Sequence, residues 1–197
     1  MLRVLGDSIS GNCLKVKWLL DHLGIRHDWQ ETDVLTGATR TPAFLALNPA
    51  GQVPVVVLED GRTLAQSNAI LLYFGEGSAL VPADAYDRAR MYGWLFWEQY
   101  SHEPYIAVRR FQMRYLGRKA EDLDPKLEER GHAALARMED QLARTPFLVG
   151  GTPSLADIAL VAYTRMADEG GFDLADYPSV QAWIGRTEAA LGIGQQS

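Results

Sequence analysis

The sequence predicts a small α/β domain followed by an all-α domain, and three observations carry that expectation. Strand and helix signals alternate over residues 1–76. The stretch GEGSALVPAD that ends at Asp84 is rich in Gly, Ser and Pro and has no period, which marks a linker over 77–84. From residue 85 to 197 every periodic signal is helical.

Leu2–Leu5 is a short apolar strand that breaks at Gly6-Asp7-Ser8. Val16, Leu19, Leu20 and Leu23 then fall at i, i+3, i+4 and i+7, a helix stripe, with Gly24 as its stop. A weaker extended stretch runs from about Arg26 to Val34. Thr41-Pro42 reads as an N-cap followed by Pro at the first helical position. Val53–Leu58 is a β-branched run, and Asp60-Gly61 is a hairpin turn into Thr63–Ala65. Ser67 is placed to cap a helix over Asn68–Phe74. In the second half, Tyr86–Leu116 is one long helical stretch that Pro104 should kink or break. Helices over Lys126–Ala143, Ser154–Met166 and Ser179–Leu191 follow.

The composition excludes several classes. With 19 Lys+Arg against 25 Asp+Glu the net charge is -6, and no basic run is present, so nucleic acid is not the expected partner. One cysteine, Cys13, allows neither an intrachain disulfide framework nor a Cys-based zinc cluster. No stretch approaches the ~18 apolar residues of a membrane span, and MLRVLGDS is no signal core, so a cytoplasmic protein is expected. His22, His27, His102 and His132 make no metal-ligand spacing, so no metal is expected. Glu128-Glu129 and Glu139-Asp140 read as a solvated helix face.

Three short segments hold the chemistry. Ser10-Gly11-Asn12-Cys13 follows the first strand and opens the first helix, where a thioredoxin-like domain places C-x-x-C, with Ser in place of the first Cys. Unpaired N–H groups at a helix start favour an anion. A thiolate brought there by a substrate would be stabilised, with Ser10 as hydrogen-bond donor; alternatively Ser10 is only an N-cap and Cys13 a core thiol. Pro54 opens a run that reads as an inner strand, where its missing N–H is costly. A cis Val53-Pro54 bond would free the Val53 backbone to pair with a peptide-like ligand, whereas an edge-strand proline would bind nothing. Gln66-Ser67 begins a helix whose N-terminus suits a carboxylate, although capping alone explains Ser67.

In this order and spacing the segments resemble the cytosolic glutathione S-transferase superfamily, in a bacterial-type, Ser-dependent class. The matching stretches are SISGNCLKVKWLLDHLG, NPAGQVPVVVLEDGRTLAQSNAILLYF and SLADIAL, and the likeness spans essentially the whole chain. The resemblance implies the glutathione transferase fold: an α/β thioredoxin-like N-terminal domain that binds glutathione, an all-α C-terminal domain, and a hydrophobic acceptor site between them. It implies that Ser10 holds the glutathione thiolate with Asn12 assisting at the sulfur. Val53 would pair with the cysteinyl unit, Gln66 and Ser67 would hold the γ-glutamyl end, and Gln52 and Arg40 would reach the glycyl carboxylate. Ser154 and Asp157 match the family's capping box in the second domain, with Pro153 and Ile158 as its staple.

Gln66 departs from the acidic residue that many relatives carry, so the ligand's ammonium lacks one anionic partner; Glu98 and Glu103 are the alternatives. Eight of the chain's 19 aromatics lie within residues 92–115, more than one helix side buries, so some line a cleft or an interface. Tyr100, Tyr105 and Arg109 are the acceptor-site candidates. The implied reaction conjugates glutathione to a hydrophobic electrophile, in a homodimer. A glutathione-dependent disulfide reductase or peroxidase, or a non-catalytic binding protein of the same fold, would use the same framework.

Overall fold

A computed structural model describes residues 1–194 as two compact units, one of Met1–Glu76 and one from Gly77 onward. The first unit runs β1 (Leu2–Gly6), α1 (Gly11–His22), β2 (His27–Glu31), α2 (Pro42–Leu47), β3 (Val55–Val57), β4 (Thr63–Ala65) and α3 (Ser67–Gly75). Its sheet has the order β2-β1-β3-β4, with β1 parallel to β2 and antiparallel to β3, and β3 antiparallel to β4. Leu2 and Val4 alternate with exposed Arg3 on β1, so one strand face enters the core with Val56. Val16 and Leu20 of α1 and Ile70 of α3 pack onto that core, all without exposed surface. Gly6 is required at the end of β1 because a Cβ there would lie 2.4 Å from the Trp29 indole.

The local signals explain most boundaries. Thr41 caps α2, its hydroxyl accepting the Phe44 amide at 3.3 Å, with Pro42 in the first turn. Gly24 (φ 64°) stops the chain after α1, and the Leu58 amide donates to the Arg62 carbonyl across the Asp60-Gly61 turn. The start of α3 differs from expectation. Ser67 is its first residue rather than its cap, and Gln66 holds the cap position at φ 70°, the only non-glycine described residue with a positive φ.

The second unit holds α4 (Ala85–Trp97), α5 (Glu103–Arg114), α6 (Pro125–Leu142), α7 (Leu155–Thr164) and α8 (Pro178–Leu191). A π-helical turn over Glu98–His102 separates α4 from α5, just ahead of Pro104, whose missing N–H cannot continue the ladder. Every residue of α7 is buried, so this mostly apolar helix is packed on all sides and runs through the middle of the unit. The segment before α4 is not bare spacer. Leu80 is buried and its carbonyl accepts the Leu155 amide at 3.1 Å.

Ser154 and Asp157 form the expected capping box at α7. The Asp157 carboxylate accepts the Ser154 amide at 2.8 Å, the Ser154 hydroxyl at 2.9 Å, the Leu148 amide at 3.0 Å and the Trp183 indole N–H at 2.8 Å. One buried carboxylate thus joins the loop before α7, α7 itself and α8. Of the four acids expected on a solvated face, Glu128, Glu129 and Asp140 are exposed and Glu139 departs from the expectation. Glu139 accepts the Ser179 and Val180 amides at 2.9 and 3.0 Å and so caps α8 from α6, and Glu128 pairs with Arg109 at 3.1 Å.

Candidate active site

The loop from β1 to α1 is held from two sides. Asp7, buried at the strand end, accepts the Ile9 amide at 2.9 Å and the Val34 amide at 2.8 Å. Glu31, the last residue of β2, accepts the Ser8 amide and the Trp29 indole N–H, both at 2.8 Å. These four bonds place Ser10 at the N-cap position of α1 with extended backbone (φ -87°, ψ 119°). Its carbonyl accepts the Cys13 and Leu14 amides, but its hydroxyl makes no cap bond to the first turn. The hydroxyl is therefore not spent as a cap, and it stands half-buried where the dipole of α1 is positive.

Cys13 faces inward with no exposed surface. Burial pushes its thiol up to about 11, against hydrogen bonds from the Asp7 backbone and the Ser10 side chain that favour ionisation. It is a core thiol, inert at neutral pH.

The segment after α2 is locked by Asn48, whose side chain donates to the Gln52 carbonyl at 2.7 Å and accepts the Ala50 amide at 3.2 Å. Gly51 (φ 62°) lets Arg40 lie against the loop, since a Cβ there would meet Arg40 Nη1 at 2.5 Å. Arg40 and Gln52, both exposed, therefore flank one short loop. The Val53-Pro54 peptide is cis, and the turns and loops around Val53 take up neither its amide nor its carbonyl.

At the start of α3 the Ser67 hydroxyl donates to Asn12 Oδ1 at 2.9 Å, which also receives Lys15 Nζ at 2.7 Å. The Asn12 side-chain oxygen thus ties α1 to α3. Gln66, exposed and in a backbone region that costs roughly 1–3 kcal/mol, is the kind of outlier that concentrates at ligand clamps. Sequence reasoning passed over Asp7, Glu31, Asn48 and Lys15. Asp7, in the strand-ending Gly6-Asp7-Ser8, and Asn48, in Asn48-Pro49, carried local turn signals.

In the second unit, Tyr100 and Tyr105 line one cavity of about 320 Å³ with Trp97, Arg130 and Arg137. The Arg137 guanidinium lies 5.2 Å from the ring centre of Trp94 and 4.9 Å from that of Trp97. Arg109 does not join them. It is buried, donating from Nε to the Gly170 carbonyl at 2.7 Å and from Nη2 to Glu128, with its charge over Phe172. An arginine with these bonds staples the Ala167–Gly170 turn to α5, which corrects its place among the acceptor candidates. No group of three His, Cys, Asp or Glu suited to a metal occurs among the described residues. No described helix is long and apolar enough to cross a membrane.

The chain belongs to the glutathione S-transferase family: residues 9–76 match its N-terminal domain and residues 83–186 its C-terminal domain. Over 194 residues it is 32% identical to glutathione S-transferase 3 of Zea mays, covering 92% of this chain and 86% of that one. A disulfide-bond oxidoreductase of Escherichia coli (strain K12) is 27% identical over 192 residues, with 92% and 87% covered. The crystal structure of a glutathione S-transferase from Pseudomonas fluorescens superposes with a TM-score of 0.92 at 52% identity, covering 95% of this chain and 94% of that one.

Proposed function

We propose that this protein is a cytoplasmic, Ser-dependent glutathione S-transferase of the bacterial type that joins the glutathione thiolate to hydrophobic electrophiles. Residues 1–76 form the glutathione-binding domain, 77–84 the linker and 85–197 the helical domain. The observation that carries the reading is Ser10, a helix-start serine whose hydroxyl is not used as a cap. In the proposed reaction the thiol proton leaves to solvent, and the Ser10 hydroxyl donates a hydrogen bond to the thiolate left behind. The sulfur then attacks the electrophilic carbon, a C–S bond forms, and the leaving group departs with the bonding electron pair. The backbone of Val53 holds the cysteinyl unit, Gln66 and Ser67 the γ-glutamyl end, and Gln52 and Arg40 the glycyl carboxylate. Tyr100 and Tyr105 contribute aromatic surface for the acceptor.

Phe96, 74% exposed on one chain, supports a homodimer in which a second copy covers it. The likeness to a disulfide-bond oxidoreductase favours one second reading, disulfide exchange by bound glutathione. Cys13 takes no part in it, because its thiol is buried and protonated. Calorimetric titration with glutathione tests the binding site, and no binding at millimolar ligand would leave only a scaffold role. Turnover with a chloronitroaromatic acceptor and with a small disulfide then separates the two reactions.

A further inference from the structure

One face of α6 carries Arg130, Ala133, Ala134 and Arg137 at i, i+3, i+4 and i+7, two small residues between two cations. The alanines leave space beside the helix, and the rings of Trp97, Tyr100 and Tyr105 wall it from the end of α4, the π-helical turn and α5. The cavity, about 320 Å³, lies at the small end of the range for ligand sites (about 300–1,000 Å³), which suits a compound of one aromatic ring. Its lining carries charge of one sign, two arginines and no acid. Among the described residues neither Arg130 nor Arg137 has a carboxylate partner or an acceptor for its N–H groups. The buried arginines of the same unit differ, since Arg109 pairs with Glu128 and Arg110 with Glu169. Arg137 is also held in place, with its guanidinium over the Trp94 and Trp97 rings, so it loses little freedom on binding. In a chain of net charge -6, a cavity lined by positive charge draws anions against the field of the whole molecule.

From this we propose that the preferred acceptor is a one-ring aromatic electrophile bearing a carboxylate, which Arg137 and Arg130 hold while Tyr100 and Tyr105 cover its ring. The proposal deepens the transferase reading above and rests on it. A guanidinium fork matches the two oxygens of a carboxylate. The carboxylate takes no part in the bond changes. As in the reaction above, the C–S bond forms and the leaving group departs with its electron pair, and the carboxylate stays on the conjugate. The two arginines thus set specificity and touch no reacting atom.

The test compares two acceptors of similar shape, 4-chloro-3,5-dinitrobenzoate and 4-chloro-3,5-dinitrobenzamide, at about pH 6.5, where the benzoate is ionised. Each kcat/KM is divided by the rate constant of the uncatalysed reaction with glutathione, which removes the difference in electrophilicity. The wild type should favour the benzoate roughly fivefold, the upper size of an ion pair open to water. Most of that preference should vanish at about 0.5 M salt, which screens exposed charges. Arg137→Gln should bring the ratio to about one, and Arg137→Glu should invert it, a change that damage to the fold would not produce. A wild-type ratio of one, or a ratio that Arg137→Glu leaves unchanged, overturns the proposal, while conjugation of the benzamide in the same assay leaves the transferase reading standing. Should the Arg137 variants not fold, a preference unmoved by both Arg130→Glu and salt overturns it equally. A wild type that conjugates neither acceptor removes the transferase reading, and this proposal with it.

Discussion

Glu31 accepts the backbone amide of Ser8 at 2.8 Å, so the end of β2 fixes the loop that carries Ser10 two residues later. Burial raises the Glu31 carboxyl, but the hydrogen bonds from Trp29 and Ser8 together outweigh it and hold the group below its ordinary value near 4.5. A carboxyl depressed in the folded state stabilises the fold above its unfolded pKa, and that contribution is lost as the pH falls through the folded value. Glu31→Gln should therefore lower Tm near neutrality by no more than about 2 °C, because solvent screens this exposed carboxylate and leaves well under ~1 kcal/mol. Below about pH 4.5 the difference from wild type should shrink. Calorimetric scans across pH 3–8 check both expectations, and a constant difference at every pH would remove the charge from the account.

Asp157 should be the most sensitive structural position in the second unit. Asp157→Ala leaves the Leu148 and Ser154 amides and the Trp183 indole as buried donors without partners. At about 1–3 kcal/mol each, the loss is a large share of a typical stability of about 5–15 kcal/mol. The variant should be insoluble, or melt at least about 8 °C below wild type by scanning calorimetry. A shift within about 2 °C would show that water replaces the carboxylate at this site.

Cys13 should resist reagents that report free thiols. A thiol pushed up to about 11 is ionised at pH 8 in only about one molecule in a thousand, and its burial closes the approach. Ellman's reagent should titrate no thiol in the native protein and one in guanidinium. Reaction of the native protein at the rate of a free thiol would bring Cys13 back into the chemistry as a redox partner of the site.

What the sequence disclosed was local, and what it concealed was distant. The α1 stripe, the Asp60-Gly61 turn, the Thr41-Pro42 start and the Ser154–Asp157 box each lie within a few residues, so their geometry follows from spacing alone. Asn12 meets Ser67 across 55 positions, Asp7 meets Val34 across 27, and Glu139 meets Val180 across 41. No period or motif marks such pairs. Arg109 shows the same limit from the other side. An arginine among aromatics reads as a site residue until the turn ending at Gly170, 61 residues on, is seen to accept from it. Glu139 looked solvated because its partners lie on another segment of the fold.

The central claim is that the Ser10 hydroxyl, with the start of α1, is enough to hold glutathione as a thiolate without a general base. A free cysteine thiol has a pKa of about 8.5, and bringing it to about 7 takes about 2 kcal/mol. A hydrogen bond to a charged group contributes about 1.5–3 kcal/mol and a helix N-terminus about 0.3–1 more, so the two suffice. The direct measurement is the conjugation rate of Ser10→Ala with a chloronitroaromatic acceptor, taken at pH 6.5 and again at pH 9. At pH 6.5 the variant should be slower than wild type by roughly one to two orders of magnitude, with glutathione affinity little changed. By about pH 9 much of the rate should return, because the thiol then ionises unaided. A variant that matches wild type at pH 6.5 would contradict the account and leave the thiolate to the amides of α1.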